Sequence, residues 1–277
     1  MSDCADAILR KLRASDIPAA LQLSTEAGWN QTGEDWRMLI DLAPQGCLAI
    51  EVDGELASTT TLLCYGQRLA WIGMVLTRIP RRGRGFAQRL LTEALRLADQ
   101  MGIETVKLDA TDQGQPLYEK LGFRCEQTVE RWARPSSSGA PSPGLRSDAS
   151  PPGDWRVADH RAFGVDRSIL LERLARRNPP LSVPCSYLFT RPGRLTGYLG
   201  PCVADGPGTA RTLIQRALQI SGSGDWSWDL LPRNASAVAI ARDLAFTPSR
   251  HLLRMVRGKD LRTQEEAIYA IAGFELG

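Results

Sequence analysis

The stretch WIGMVLTRIPRRGRGFA, Trp71 to Ala87, decides how this 277-residue chain is read. It opens as an apolar, strand-like run, passes Pro80 and a series of arginines, and closes on Gly83 and Gly85 just before a long helical pattern. The two glycines let backbone N–H groups approach an anion, the helix N-terminus adds its dipole, and Arg82 and Arg84 add full charge. Together they read as a pyrophosphate cradle. The usual nucleotide versions do not fit: no Gly-Lys-Ser/Thr ending follows, nor a G-x-G-x-x-G with an acidic residue about twenty positions on. The competing reading of Arg78, Arg81, Arg82, Arg84 and Arg89 is a solvated surface or a nucleic-acid patch.

Working outward, Ile8 to Leu12 reads as a short strand. Ser15 or Asp16 caps a helix to about Ala27, and Thr32 or Glu34 opens another to Leu42. Three extended runs follow: Cys47 to Val52, Glu55 to Cys64 after the Asp53-Gly54 hairpin signal, and Arg68 to Thr77. The helix from about Gly85 to Met101 carries Leu90, Leu91, Ala94, Leu95, Leu97, Ala98 and Met101 at helical spacing. Thr105 to Ala110 is strand, Pro116 to Leu121 a short helix, and Phe123 to Trp132 a closing strand or hairpin. The order describes a mixed α/β layer fold.

Arg82-Gly83-Arg84-Gly85-Phe86-Ala87 matches R/Q-x-x-G-x-G/A, and Leu117-Tyr118-Glu119-Lys120-Leu121-Gly122-Phe123 follows at the right distance. In both signatures the chain resembles the GNAT superfamily of acyl-CoA-dependent N-acyltransferases. The resemblance implies that the main chain of Val75, Leu76 and Thr77 pairs with the pantetheine arm of acetyl-CoA. It implies too that the amides of Gly83, Arg84, Gly85, Phe86, Ala87 and Gln88 hold the pyrophosphate, with Arg82 and Arg84 as charge support. Tyr118 stands where the family places its general acid. Its phenol, of pKa about 10, stays protonated at pH 7 and can protonate the departing thiolate. Ala87 replaces a frequent glycine, and Thr111 stands where many relatives carry an Asn that contacts the cofactor.

An amine of pKa about 10.4 must lose a proton before it attacks, at roughly 4 kcal/mol near pH 7.4, so a base or a water chain is expected. Glu26, Glu34 and Asp35 are candidates, although each reads first as a solvated helix charge, and Asp109, at the strand end before the loop to Tyr118, is another. Gly28-Trp29-Asn30-Gln31-Thr32 with Trp36 reads either as a substrate edge or as ordinary packing.

The length implies two globular units. Residues 135–154, with five Pro, three Gly and six Ser, form the boundary between a first unit at 1–134 and a second at 155–277. Sliding the sequence by 123 residues lays Arg82–Leu95 on Asp205–Leu218 without gaps, matching Gly83 with Gly206, Gly85 with Gly208 and Phe123 with Phe246. Such a repeat means duplication of one fold. Asp205 replaces Arg82, Pro207 replaces Arg84 and Ala241 replaces Tyr118, so the second copy loses anion affinity and its acid. His160 to Asn178 reads as one helix. The fold expectation is therefore mixed α/β, with two tandem GNAT-like lobes, each a largely antiparallel sheet flanked by helices, the second degenerate and packed on the first.

A net charge of +3 is too mild for a dedicated nucleic-acid binder. Six cysteines without a C-x-x-C pair and two histidines, His160 and His251, without ligand spacing argue against a metal site, and Cys47 and Cys64 read as core thiols. His160, His251, Asp159 and Asp166 read as plain polar surface or core residues. No leader or membrane span is expected, which implies a cytoplasmic protein; a homodimer is compatible with this reading. The implied activity is acetyl transfer from acetyl-CoA to an acceptor amine, of a small molecule or a protein, without metal. The alternative is a module that binds or senses acyl-CoA without turnover.

Overall fold

The computed structural model describes residues 7–136, 155–220 and 224–277. The first lobe runs β1 (Ile8–Lys11), α1 (Ile17–Glu26), α2 (Gly33–Leu42), β2 (Leu48–Val52), β3 (Glu55–Tyr65), β4 (Leu69–Thr77), α3 (Phe86–Gln100), β5 (Thr105–Ala110), α4 (Gln115–Lys120) and β6 (Arg124–Arg134). The second runs α5 (Trp155–Phe163), α6 (Ser168–Arg177), β7 (Leu181–Val183), β8 (Ser186–Arg191), β9 (Gly197–Val203), α7 (Pro207–Ile220), β10 (Trp226–Leu230), α8 (Ala235–Asp243), β11 (Thr247–Gly258) and β12 (Ile268–Ala270). Most of the expected linker, 137–154, lies outside the described residues.

Local chemistry accounts for the elements near the site. Thr32 caps α2 reciprocally: its Oγ1 accepts from the Asp35 N–H at 3.2 Å, and its own N–H donates to Asp35 Oδ2 at 2.7 Å. The turn between β2 and β3 puts Asp53 at φ 54° and Gly54 at φ 77°, the paired positive φ of a type I′ hairpin. On α3, Leu90, Leu91, Ala94, Leu95 and Ala98 are buried against the sheet, whereas Met101 is exposed. One expectation is corrected here. The segment 160–178 is two helices, because Gly164 takes φ 73° and ends α5, and Asp166 Oδ1 accepts from the Ser168 N–H at 2.8 Å to start α6.

Among the described residues the strands make one continuous twelve-stranded sheet, ordered β1-β2-β3-β4-β5-β11-β6-β10-β9-β8-β7, with β12 on β9. The lobes are therefore joined more intimately than by packing. β11, from the second lobe, pairs antiparallel with β5 from Leu253↔Ala110 to Gly258↔Thr105. β6, from the first, pairs with β10 from Trp226↔Arg134 to Leu230↔Glu130. The 123-residue offset lays β6 on β11 and β5 on β10, so each lobe lends its last long strand to the other across a common β6/β11 ladder. One face of the first lobe's sheet packs on α3 and α4. The opposite face packs on α1, α2 and the second lobe's α5 and α6 in a core that spans both halves.

Candidate active site

β4 and β5 are parallel but pair only at Ala70↔Val106 and Trp71↔Lys107. Beyond those residues the strands splay, and the edge of β4 from Ile72 onward faces a cleft. A bulge sharpens the divergence: Met74 has φ 50°, and the β3 register slips between Thr59 and Thr61. The β3 hydroxyls hold the bulge, Thr59 Oγ1 donating to Met74 O at 2.8 Å and Ser58 Oγ to Leu76 O at 2.7 Å. Ile72, Gly73, Met74 and Val75 line one wall, Leu108, Asp109, Thr111 and Tyr118 another, around about 640 Å³ of open space. Leu76 and Thr77 lie further along the strand, with Thr77 Oγ1 2.7 Å from Ser58 Oγ.

Arg82, Gly83, Arg84, Gly85 and Gln88 are exposed at the end of that edge. Gly83 has φ 75° and Gly85, the N-cap of α3, φ 79°, with nothing within 4 Å of where either Cβ would be. The glycines are thus needed for backbone conformation, and the space before them is open. The N–H groups of Phe86, Ala87 and Gln88 are in the first turn of α3, where no intrahelical acceptor exists. Arg82 Nε donates to Thr77 O at 3.2 Å, folding the loop back on the strand.

Tyr118 is 7 % exposed, its ring edge-on to Phe123, and burial pushes its phenol up to about 12. Gly114 makes room for it: a Cβ there would lie 2.9 Å from Tyr118 Cε2. Thr111 Oγ1 accepts from the Gly114 N–H at 3.2 Å and so shapes the same turn.

The wall opposite the loop is not legible in the sequence, because the second lobe builds much of it. Arg250 and Leu252 reach the cleft from β11, Phe274 and Glu275 from the segment beyond β12, and Arg131 from β6. Three side chains pin that segment: Tyr65 Oη donates to Leu276 O at 2.6 Å, Trp71 Nε1 to Phe274 O at 2.8 Å and Arg167 Nη1 to Gly277 O at 2.8 Å. Burial raises the Glu275 carboxyl above the usual range, against the opposing pull of Arg191 at 3.5 Å. Asp109 is buried and bonded through both oxygens to Arg254, at 2.9 and 3.0 Å.

The substrate-edge segment divides. Trp29 and Gln31 line the cleft. Asn30 instead ties the lobes together, accepting from the Leu195 and Thr196 N–H groups at 2.7 and 3.1 Å, while Trp36 is core and donates to Ser24 Oγ at 3.2 Å. Among the expected bases, Glu26 is exposed beside Gln22, Glu34 is exposed beside Arg177, and Asp35 is committed to capping α2 and to Arg177. None of the three lines the cleft. His160 and His251 are exposed, whereas Asp159 is fully buried against Arg167 and Tyr187. Among the described residues no group of three His, Cys, Asp or Glu could hold a metal, and no helix is long and apolar enough to cross a membrane.

Residues 14–123 match the model of the acetyltransferase (GNAT) family, and residues 156–270 match that of an acetyltransferase (GNAT) domain. The chain belongs to the GNAT acetyltransferase family. It is 28 % identical over 225 residues to the uncharacterized N-acetyltransferase YitH of Bacillus subtilis (strain 168), covering 75 % of this chain and 77 % of that one. Against the holothin acyltransferase of Pseudoalteromonas sp. (strain SANK 73390) it is 23 % identical, over 90 % of this chain and 87 % of that one. A crystal structure from Pyrococcus horikoshii superposes with TM-score 0.81 at 22 % identity, covering 99 % of this chain and 96 % of that one. A GCN5-related N-acetyltransferase from Sphaerobacter thermophilus gives 0.68 at 19 %, over 95 % and 100 %.

The two GNAT lobes differ at the loop. α7 begins at Pro207, the counterpart of Arg84, and neither Gly206 nor Gly208 takes positive φ, so the second copy of the glycine loop is wound into the helix. Asp205 turns to Ser186, whose Oγ accepts from the Asp205 N–H at 3.1 Å. Ala241, the counterpart of Tyr118, is fully buried. Asn234 serves structure, capping α8 and donating to Ile268 O at 3.0 Å.

Proposed function

We propose that the protein transfers an acetyl group from acetyl-CoA to an acceptor amine, with the first lobe holding the cofactor and both lobes building the acceptor side. The observation that carries this reading is the open edge of β4, which runs from the glycine loop into a cleft that Tyr118 shares with a second-lobe wall. An unpaired strand edge offers main-chain partners to pantetheine amides, and the loop with the first turn of α3 offers N–H groups to a pyrophosphate. Arg82 and Arg84 supply charge where the second lobe has Asp205 and Pro207.

In the reaction the amine nitrogen attacks the thioester carbonyl, the C–N bond forms and the C–S bond breaks. The ammonium must first lose a proton. Of the two carboxylates in the cleft, Asp109 has both oxygens bonded to one guanidinium, Arg254, whereas Glu275 is held by its own backbone N–H and by Arg191 at 3.5 Å. Glu275 is therefore our candidate base, and a raised pKa suits that role. Tyr118 donates the proton that converts the CoA thiolate to thiol, and the second proton, shed by the nitrogen as the amide forms, restores the phenol. A phenol near 12 would be a poor donor to a solvated thiol of pKa about 8.5, but a desolvated thiol rises as well. Burial alone pushes the Cys47 thiol of this protein up to about 12, level with Tyr118.

Calorimetric titration with CoA and thiol release from acetyl-CoA over an amine panel test the proposal. Binding with amine-dependent release is expected, and Gly85→Asp, which puts a carboxylate in the cradle, should lose CoA binding. CoA binding without release for any amine would favour a binding or sensing module instead. An unaltered dissociation constant in Gly85→Asp would remove the loop from the assignment.

A further inference from the structure

Arg250 lines the cleft, and among the described residues its side chain has no hydrogen bond or ion pair. It stands directly opposite Arg131 in the β11/β6 ladder. Like charges at directly opposed positions destabilise a sheet unless something neutralises them. For Arg131 something does: Asp229, its partner on β10, accepts from Nε and Nη2 at 2.6 Å each. Arg250 has no such carboxylate. Burial and the neighbouring Arg131 pull its pKa down against a weaker upward pull from Asp229, whose two oxygens are bonded to Arg131, although a guanidinium stays protonated at neutral pH.

The face on which Arg250 lies separates this charge from the cofactor loop. Side chains alternate along β11, so Arg250, Leu252 and Arg254 share one face while Leu253 and Met255 point to the other. Leu253 and Met255 belong to the core under α3, on the side of the glycine loop. Arg254 lies on the opposite side, 4.6 Å above the Trp71 ring, and Trp71 belongs to the core under α1 and α2. Arg250 is thus on the acceptor side of the sheet, with Trp29 and Phe274 lining the same cleft. There too is Gln31, whose buried Oε1 has no hydrogen-bond partner and so offers an acceptor to an N–H.

We propose, building on the transferase reading, that the acceptor is a small anionic amine, whose carboxylate or phosphate is held by Arg250 while Gln31 Oε1 accepts from its nitrogen. The unpaired guanidinium and the orphan carbonyl oxygen match one molecule that carries an acid group and an amine. The first lobe supplies the donor site and the second selects the acceptor, which gives the degenerate copy a task that needs no cofactor loop.

The test uses matched amines: several α-amino acids each against its carboxamide, phosphoethanolamine against ethanolamine, and cadaverine as a cationic control. Thiol release gives kcat/KM, and titration into CoA-saturated protein gives affinity whether or not turnover occurs. At least one anionic member should be preferred by roughly tenfold or more, the worth of a charge-assisted hydrogen bond. Which pair shows it tells carboxylate from phosphate. Arg250→Gln should abolish the preference and Arg250→Lys keep part of it, with CoA affinity unchanged in both. No preference in any pair, or a preference that survives in Arg250→Gln, overturns the assignment while leaving amine-dependent thiol release, and the transferase reading, intact. Anion-selective, Arg250-dependent binding without release from any amine would instead support the acceptor site and count against the transferase.

Discussion

Gly73 in β4 lies against the backbone of Glu275: a Cβ built on the glycine would come within 2.9 Å of the Glu275 Cα. The bulged strand and the second-lobe segment are therefore in direct main-chain contact at the centre of the cleft, and only a residue without a side chain allows it. Gly73→Ala should push the segment off its anchors on Tyr65 and Trp71 and cost about 1–3 kcal/mol, as overpacking does. The acceptor KM should rise more than the CoA dissociation constant. Urea denaturation and steady-state kinetics check both, and a variant with wild-type stability and KM would show that the contact yields freely.

The carboxyl brought in by that contact has its own pH signature. Burial raises the Glu275 pKa in the folded state, with Arg191 pulling down, Asp35 pushing up and Arg131 pulling down. A carboxyl raised on folding contributes stability that is complete below its unfolded value, about 4.3, and is lost as pH rises through its folded value. Glu275→Gln has no such titration. Its stability relative to wild type should therefore improve from pH 4.5 to 8, while kcat/KM falls by roughly a hundredfold or more and the acid limb of the rate profile disappears. Parallel stability curves and an unchanged limb would reassign the base.

Tyr118→Phe keeps the edge-on contact with Phe123 and removes only the hydroxyl. Turnover should fall by roughly a hundredfold or more, with CoA affinity retained. A separate measurement of CoA binding by calorimetry distinguishes loss of the acid from loss of the fold. Unchanged turnover would place the acid elsewhere.

The half of the site that we propose holds the cofactor is legible because local grammar writes it. A glycine with positive φ, a helix N-terminus and a tyrosine on the next short helix all fall within a few dozen residues, and the 123-residue repeat shows which copy has lost them. Arg131, Arg250, Phe274 and Glu275 carry no such grammar. They meet through the exchange of β6 and β11, which depends on which of two equivalent strands each β5-type edge accepts, and period-two patterning is the same for either choice. The split of 160–178 into two helices escapes the sequence for a smaller reason: Gly164 reads as a tolerated interruption, and its left-handed φ becomes visible only with the backbone.

The pair Asp109 and Arg254 joins β5 to β11 at a Cα-paired position, with the Asp109 side chain fully buried and that of Arg254 nearly so. Arg254→Met would leave the carboxylate buried without its partner, a loss of about 3–5 kcal/mol. Replacing both groups by Asp109→Leu and Arg254→Met should recover much of that, since an apolar pair needs no desolvation of charge. Urea melts of the three variants give the coupling energy, and additive losses would mean that the two charges stabilise the sheet independently.

Strand exchange also governs how a divided chain behaves. A break within 137–154 leaves β11 between β5 and β6, and β6 between β11 and β10, so the halves cannot separate without opening three ladders. The halves should co-elute on size exclusion after such a break and retain thiol release. Residues 1–136 produced alone would present both the β5 edge and an unpaired β6, a template for pairing with other chains. That fragment is expected to self-associate, through β6 of one copy on β5 of another or through aggregation, and co-expression with 155–277 should rescue it. A stable, monomeric 1–136 fragment would mean that the first lobe closes its own sheet by turning β6 back onto β5, and that the exchange contributes little to its folding.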